Sequence, residues 1–186
     1  MDGSVSKPSR VVVLAEDQRQ VRFIRGYLKE RNFDNHDIRV EPVSSGRGSG
    51  EQWVRERYAE AVRAYRWRST RAATALVVMI DADAGTVEQR LEQLRQALVQ
   101  ADSEGRSAAE KIAHLVPKRN FETWILCLNG TQVSEDIDYR HEEGIDKQIK
   151  NAAMVFFDWS RTNARVPQRC VPSLLLAIPE ARRLED

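Results

Sequence analysis

Cysteine is scarce in this chain. Cys127 and Cys170 are the two present among 186 residues, and they are far apart in sequence. That pattern excludes a disulfide framework and a cysteine-rich zinc module. Histidine is as rare, and His36, His114 and His141 share no ligand spacing. No stretch approaches the roughly 18 consecutive apolar residues of a membrane span, and the opening MDGSVSKPSR lacks the apolar centre of a secretory signal. Charge of one sign is lacking too. The formal net charge is +1, so attraction to a polyanion has to come from local clustering. No G-K-[ST] segment is present, so the chain encodes no P-loop ATPase of its own. With 41% apolar residues, these absences lead us to expect one soluble, cytoplasmic domain with no membrane partner and a substantial core.

What is present alternates between two periods. RVVVLAE (10–16), TALVVMI (74–80) and KIAHLVP (111–117) are short apolar runs of the kind that form buried strands, and DIRVEPV (37–43) alternates as a half-buried edge strand ending at Pro42. Between them lie helical patterns. Val21, Ile24 and Leu28 form one face with Arg22, Arg25 and Lys29 off it; Val54, Tyr58, Ala61, Val62 and Tyr65 form another; Val87, Leu91, Leu94 and Leu98 a third; Phe121, Trp124, Ile125 and Leu128 a fourth. Asp17 with Gln20, Thr86 with Gln89, and Asn120 supply N-terminal caps.

This β-α-β-α order predicts an α/β fold, a mostly parallel four-stranded sheet flanked by helices. The domain reading is a disordered lead-in over 1–9, an α/β core over 10–130, and a helical extension over 131–186 packed on that core. In the extension, Pro172 and Pro179 interrupt the apolar segment RCVPSLLLAIPEARRL.

Ligands bind open α/β sheets at the carboxyl ends of the strands. Two strands end there in acids: Glu16 and Asp17 after the first, Asp81 and Asp83 after the third. If the backbone stays extended past Ile80, Asp81 and Asp83 face one point. Like charges so close raise each other's pKa unless a divalent cation neutralises them, and an all-oxygen set selects Mg2+ or Mn2+ over zinc. Asp17 is accounted for by capping.

An acid after the first strand, then D-x-D after the third, resembles the TOPRIM domain of topoisomerases, DnaG-type primases and the nucleases of the overcoming-lysogenization-defect group. The segment VPKRNFETWIL (116–126) is similar to the proline-then-E-x-W segment of stand-alone TOPRIM-like proteins encoded beside ABC-type ATPases in bacterial defence loci. The resemblance spans about residues 10–130. It implies that Glu16, Asp81 and Asp83 are catalytic and metal-binding, with Glu16 completing the metal shell or managing a proton. It also implies Mg2+-dependent phosphodiester cleavage of DNA or RNA, with an ABC- or AAA-type ATPase acting in trans. Asp17 stands where the family usually has glycine.

Lys118 and Glu122 are auxiliary candidates, Lys118 and Arg119 because they follow the fourth strand at the same rim. Arg19, Arg22, Arg55, Arg66 and Arg119 are candidates for contacts to a nucleic-acid backbone. SSGRGSG (44–50) reads as a flexible loop. An enzyme this small completes a substrate groove with a partner or as a homo-oligomer. Two other readings compete. The first strand and helix also resemble a response-regulator receiver, with Asp81 as its phospho-acceptor. A degenerate, non-catalytic TOPRIM scaffold is the third.

Overall fold

The computed structural model of the protein describes residues 8–43 and 49–184. Its centre is a four-stranded, all-parallel sheet of β1 (Arg10–Ala15), β2 (Ile38–Val40), β3 (Thr74–Met79) and β4 (Ile112–Leu115), in the order β2-β1-β3-β4. Register is set by β1, whose Val11 lies opposite both Ile38 of β2 and Ala75 of β3, and Ala15 ends level with Met79.

Strand periodicity divides the interior in two. Val11, Val13 and Ala15 point to one face with Val77 and Met79, whereas Val12 and Leu14 point to the other with Leu76, Val78 and Ile80. Six helices lie among the described residues. On the first face pack α1 (Gln18–Glu30), α4 (Phe121–Leu128), α5 (Ile145–Ser160) and α6 (Pro172–Arg182). On the second pack α2 (Gly50–Ser69) and α3 (Val87–Gln100). The chain leaves β1 toward β2 through α1, then returns through α2 on the opposite face to reach β3. The strand order thus reverses between β1 and β3, and a crevice opens between their carboxyl ends.

Local chemistry explains the boundaries. Asp17 accepts from Gln20 N–H at 2.9 Å and starts α1, Thr86 and Gln89 form a reciprocal box at α3, and Asn120 caps α4. Two sequence expectations change. Pro172 does not interrupt the C-terminal apolar segment but opens α6 at its first turn, where a missing N–H costs nothing; Pro179 lies inside that helix. Every residue of α4 is buried, not one face, because α5 and α6 cover the side that the sheet does not. Of the expected lead-in over 1–9, residues 1–7 lie outside the described ones, and Ser9 N–H donates to Ala73 O at 2.8 Å. No helix among the described residues is long and apolar enough to cross a membrane.

The two edges are treated differently. β2 is short and carries exposed Arg39, which discourages further strand pairing. β4 is covered by α6, whose Glu180 accepts from the His114 backbone N–H at 2.8 Å and pairs with Arg106. Inside that edge the His114 imidazole meets the Tyr58 hydroxyl at 2.9 Å, and burial pushes its pKa down to about 3, keeping it neutral.

Candidate active site at the carboxyl ends of β1 and β3

Because β1 and β3 are hydrogen-bonded neighbours, the residues that follow them meet. The Asp81 backbone N–H donates to Glu16 Oε1. Between them sits Gln20, fully buried on α1, whose Oε1 accepts from the Glu16 N–H at 3.0 Å and whose Nε2 donates to Asp81 Oδ1 at 3.1 Å. The second Asp81 oxygen accepts the Phe121 N–H, at the start of α4, at 3.2 Å. Three elements therefore converge on one buried carboxylate.

The electrostatics follow from that burial. Desolvation raises the Glu16 pKa to about 8; the Asp81 N–H opposes it, and the charges of Asp83 and Asp17 add to it. Asp81 is also raised well above the carboxylate range, first by desolvation and then by the charges of Glu16, Glu122 and Asp83. Among the described residues neither group forms an ion pair, and the Arg90 charge lowers the Glu16 pKa only as the smallest of its influences.

Asp83 departs from the expectation. The chain does not stay extended past Ile80: Asp83 sits at φ +53°, in the left-handed region. It pairs with Arg140, on the loop before α5, and with Arg90 Nη2 at 3.5 Å. Glu16, Asp81 and Asp83 consequently do not bring their oxygens to one point. Among the described residues, the trio whose ligand atoms all lie within 4.8 Å of one another is Asp34, His36 and Asp37, an exposed turn before β2 that could hold a metal ion.

The auxiliary candidates divide. Glu122 belongs to the site: it is buried beside Asp81 and pairs with Arg19 at 2.8 Å. Arg19 also reaches Asp146 on α5, which Arg22 shares. Lys118 is turned outward to Asp136 at 2.7 Å, and Arg119 adds to the positive field there. Arg55 is committed to Glu51 at 2.6 Å and Arg66 to Glu110 at 2.6 Å, so these two act as intramolecular partners.

Four contributors escaped the sequence reading. Gln20 was visible only as the far half of a cap. Arg90 is buried, bonding Glu51 at 2.6 Å and Gln93 at 2.8 Å; its signal was the Val87–Arg90–Leu94 spacing, which puts an arginine on the apolar stripe. Arg140 comes from an irregular loop that left no pattern. Gly50 belongs to the first turn of α2, and a Cβ there would lie 2.8 Å from Glu16 Cβ and 2.9 Å from its carbonyl oxygen. Its hydrogen lets α2 close over the rim, whereas the expected flexible loop over 44–50 otherwise lies outside the described residues, apart from Ser49, which caps α2.

The donor chemistry of Glu16 and Asp81 fits a hard divalent cation. Both offer oxygen ligands, and a cation would offset the desolvation and mutual repulsion that disfavour their charged forms. Asp83 fits only after giving up Arg140. No family model, curated protein or solved structure matches this chain.

Proposed function

We propose that the rim formed by Glu16 and Asp81 is the site of a metal-dependent nuclease of TOPRIM type, acting on DNA or RNA phosphodiesters. The observation that carries this reading is the meeting of a buried and a half-buried carboxyl group, both of raised pKa, at the switch point of a parallel sheet, with no ion pair to either among the described residues. Glu16 and Asp81 would hold Mg2+ or Mn2+, with Asp83 joining them. Such an ion supplies charge neutralisation at a scissile phosphate and a nucleophile at neutral pH. If Asp81 and Asp83 alone held the ion, Glu16 would instead keep its proton near neutrality and be suited to hand it to a leaving oxygen. Gln20 and the Phe121 N–H fix the Asp81 carboxylate so that it needs no reorientation.

By the same resemblance an ABC- or AAA-type ATPase would act in trans, and the pair would form part of a bacterial defence system. A receiver reading fits less well. Lys118, the cation after β4, faces Asp136 and not Asp81. The scaffold reading is favoured by one observation, the neutralisation of Asp83 by Arg140 and Arg90.

The test uses supercoiled plasmid, single-stranded DNA and RNA with Mg2+, Mn2+ or EDTA, beside Glu16→Gln, Asp81→Asn and Asp83→Asn. Metal-dependent cleavage reduced roughly 100-fold or more by each change upholds the nuclease. Magnesium binding without cleavage by the wild type would move the assignment to the scaffold.

A further inference from the structure

We propose that the groove between α1 and α5 is a binding track for a polynucleotide backbone leading away from the acidic rim. This rests on the nuclease reading for the position of the scissile bond, but not for the binding itself.

The groove follows from the sequence. Arg22, Arg25 and Lys29 stand at i, i+3 and i+7 on α1, one exposed row beside the buried row of Val21, Ile24 and Leu28. Gly26 lets α5 come close, since a Cβ there would lie 2.8 Å from Ala153 Cβ. The helices touch at that point, and long cationic side chains stand on either side of a groove of about 330 Å³ with Ile149 at its base.

Its charge is one-sided. Arg22, Arg25, Lys29 and Lys150 line it against two carboxylates, Glu30 and Asp146. Asp146 is already shared by Arg19 and Arg22. The side chains of Arg25, Lys29 and Lys150 make no hydrogen bond or ion pair among the described residues. This separates the row from Arg55 and Arg66, which are bound to glutamates. Three unpaired cations side by side repel one another, and a polyanion relieves that repulsion.

The shape selects a polymer. From Arg22 to Lys29 the row runs about 10 Å along the helix, roughly three nucleotide steps at a rise of ~3.4 Å. A compact anion would need the cations to converge; here they follow one another. The row also starts at the rim, because Arg22, Asp146, Arg19 and Glu122 form a continuous chain of ion pairs ending beside Asp81.

The test is fluorescence anisotropy of labelled single-stranded DNA and RNA in EDTA, where cleavage is silent. The groove variant is Arg25→Glu/Lys29→Glu/Lys150→Glu, and a control of equal charge change is Arg63→Glu/Arg95→Glu/Arg165→Glu; circular dichroism confirms that both fold. The groove variant is expected to bind about 10-fold or more weakly than the control, with a salt slope shallower by about 2, as the loss of three phosphate contacts requires. Equal weakening of the two variants, or of neither, overturns the track. So does binding to anionic lipid vesicles with none to oligonucleotides. Groove-dependent binding by a protein that cuts nothing in Mg2+ or Mn2+ upholds the track and removes the nuclease. Cleavage with binding unchanged by the groove substitutions does the reverse.

Discussion

Asp81 donates its backbone N–H to the Glu16 carboxylate, so two acids separated by α1, β2, α2 and β3 in the chain are joined by one hydrogen bond at the sheet's carboxyl edge. The bond is possible because β1 and β3 end level, Ala15 against Met79. It partly offsets the burial of Glu16 but leaves its pKa near 8.

That value sets a pH dependence. An unfolded glutamate titrates at about 4.5, so between there and about 8 the folded protein holds a proton that the unfolded chain releases. The stability tied to Glu16 is therefore complete below about 4.5 and is lost as pH rises toward 8, with Asp81 titrating in the same direction as a coupled partner. Glu16→Gln removes the titration. In EDTA the melting temperature of the variant minus that of the wild type should climb from pH 4.5 to 8, and a flat difference would refute the buried-acid description. Saturating Mg2+ should flatten the wild-type profile if Glu16 and Asp81 hold the ion, since binding displaces their protons.

Arg140 occupies Asp83, and the proposed metal reading requires that it can be displaced. Its side chain is 46% exposed, so Arg140→Ala should change stability by at most about 1 kcal/mol. The same change should tighten Mg2+ binding in calorimetry, because it frees Asp83 from its nearest cation. Unaltered Mg2+ affinity in Arg140→Ala, with binding intact in the wild type, would leave Asp83 as a structural ion-pair partner.

The fold was readable because its signals are local and repeated. Three apolar runs, one alternating segment, three caps and the helical faces pointed to the parallel sheet, and the acids at the ends of β1 and β3 marked the Glu16–Asp81 rim, which the adjacency of those strands joins. The remainder depended on tertiary placement. Asp83 was read as an extension of its strand, but the backbone enters the left-handed region there and turns the carboxylate toward Arg140, a residue far along the chain. Arg55 and Arg66 were candidates for nucleic-acid contacts; Glu51 is a local partner of Arg55, whereas the partner of Arg66, Glu110, lies 44 residues along the chain. Glu122 was an auxiliary candidate, but its burial was not readable, because the burial of α4 on all sides is decided by α5 and α6, whose packing no short pattern reports.

Gly50 tests how closely α2 must approach the rim. An alanine in the first turn of a helix is ordinarily favourable by up to about 1 kcal/mol. Here its Cβ would press on Glu16 Cβ and its carbonyl oxygen, both below 3 Å, and overpacking of that kind costs about 1–3 kcal/mol. Gly50→Ala should be destabilising by urea denaturation and should disturb any activity at Glu16. Gly105→Ala meets nothing within 4 Å and should lie within about 0.5 kcal/mol of the wild type. Equal effects at the two positions would show that α2 moves away without cost.

Glu180 tests the covered edge of β4. It accepts the His114 N–H at 2.8 Å and pairs with Arg106 through both oxygens. Burial alone would raise its pKa, but Arg106 and the N–H hold it below the ordinary glutamate value. A lowered folded pKa means the stabilisation is present above about 4.5 and disappears as pH falls through the folded value. Glu180→Ala leaves a strand N–H without its acceptor and strips the Arg106 guanidinium of its carboxylate, leaving it only Ile112 O, a loss of about 2–4 kcal/mol at neutral pH. Glu180→Gln keeps an acceptor while removing the charge, so its cost should be smaller. The gap between wild type and Glu180→Gln should close on acidification, as measured by urea midpoints from pH 7 downward. A gap that persists unchanged at pH 3 would mean that Glu180 acts by packing over β4 and not by its charge.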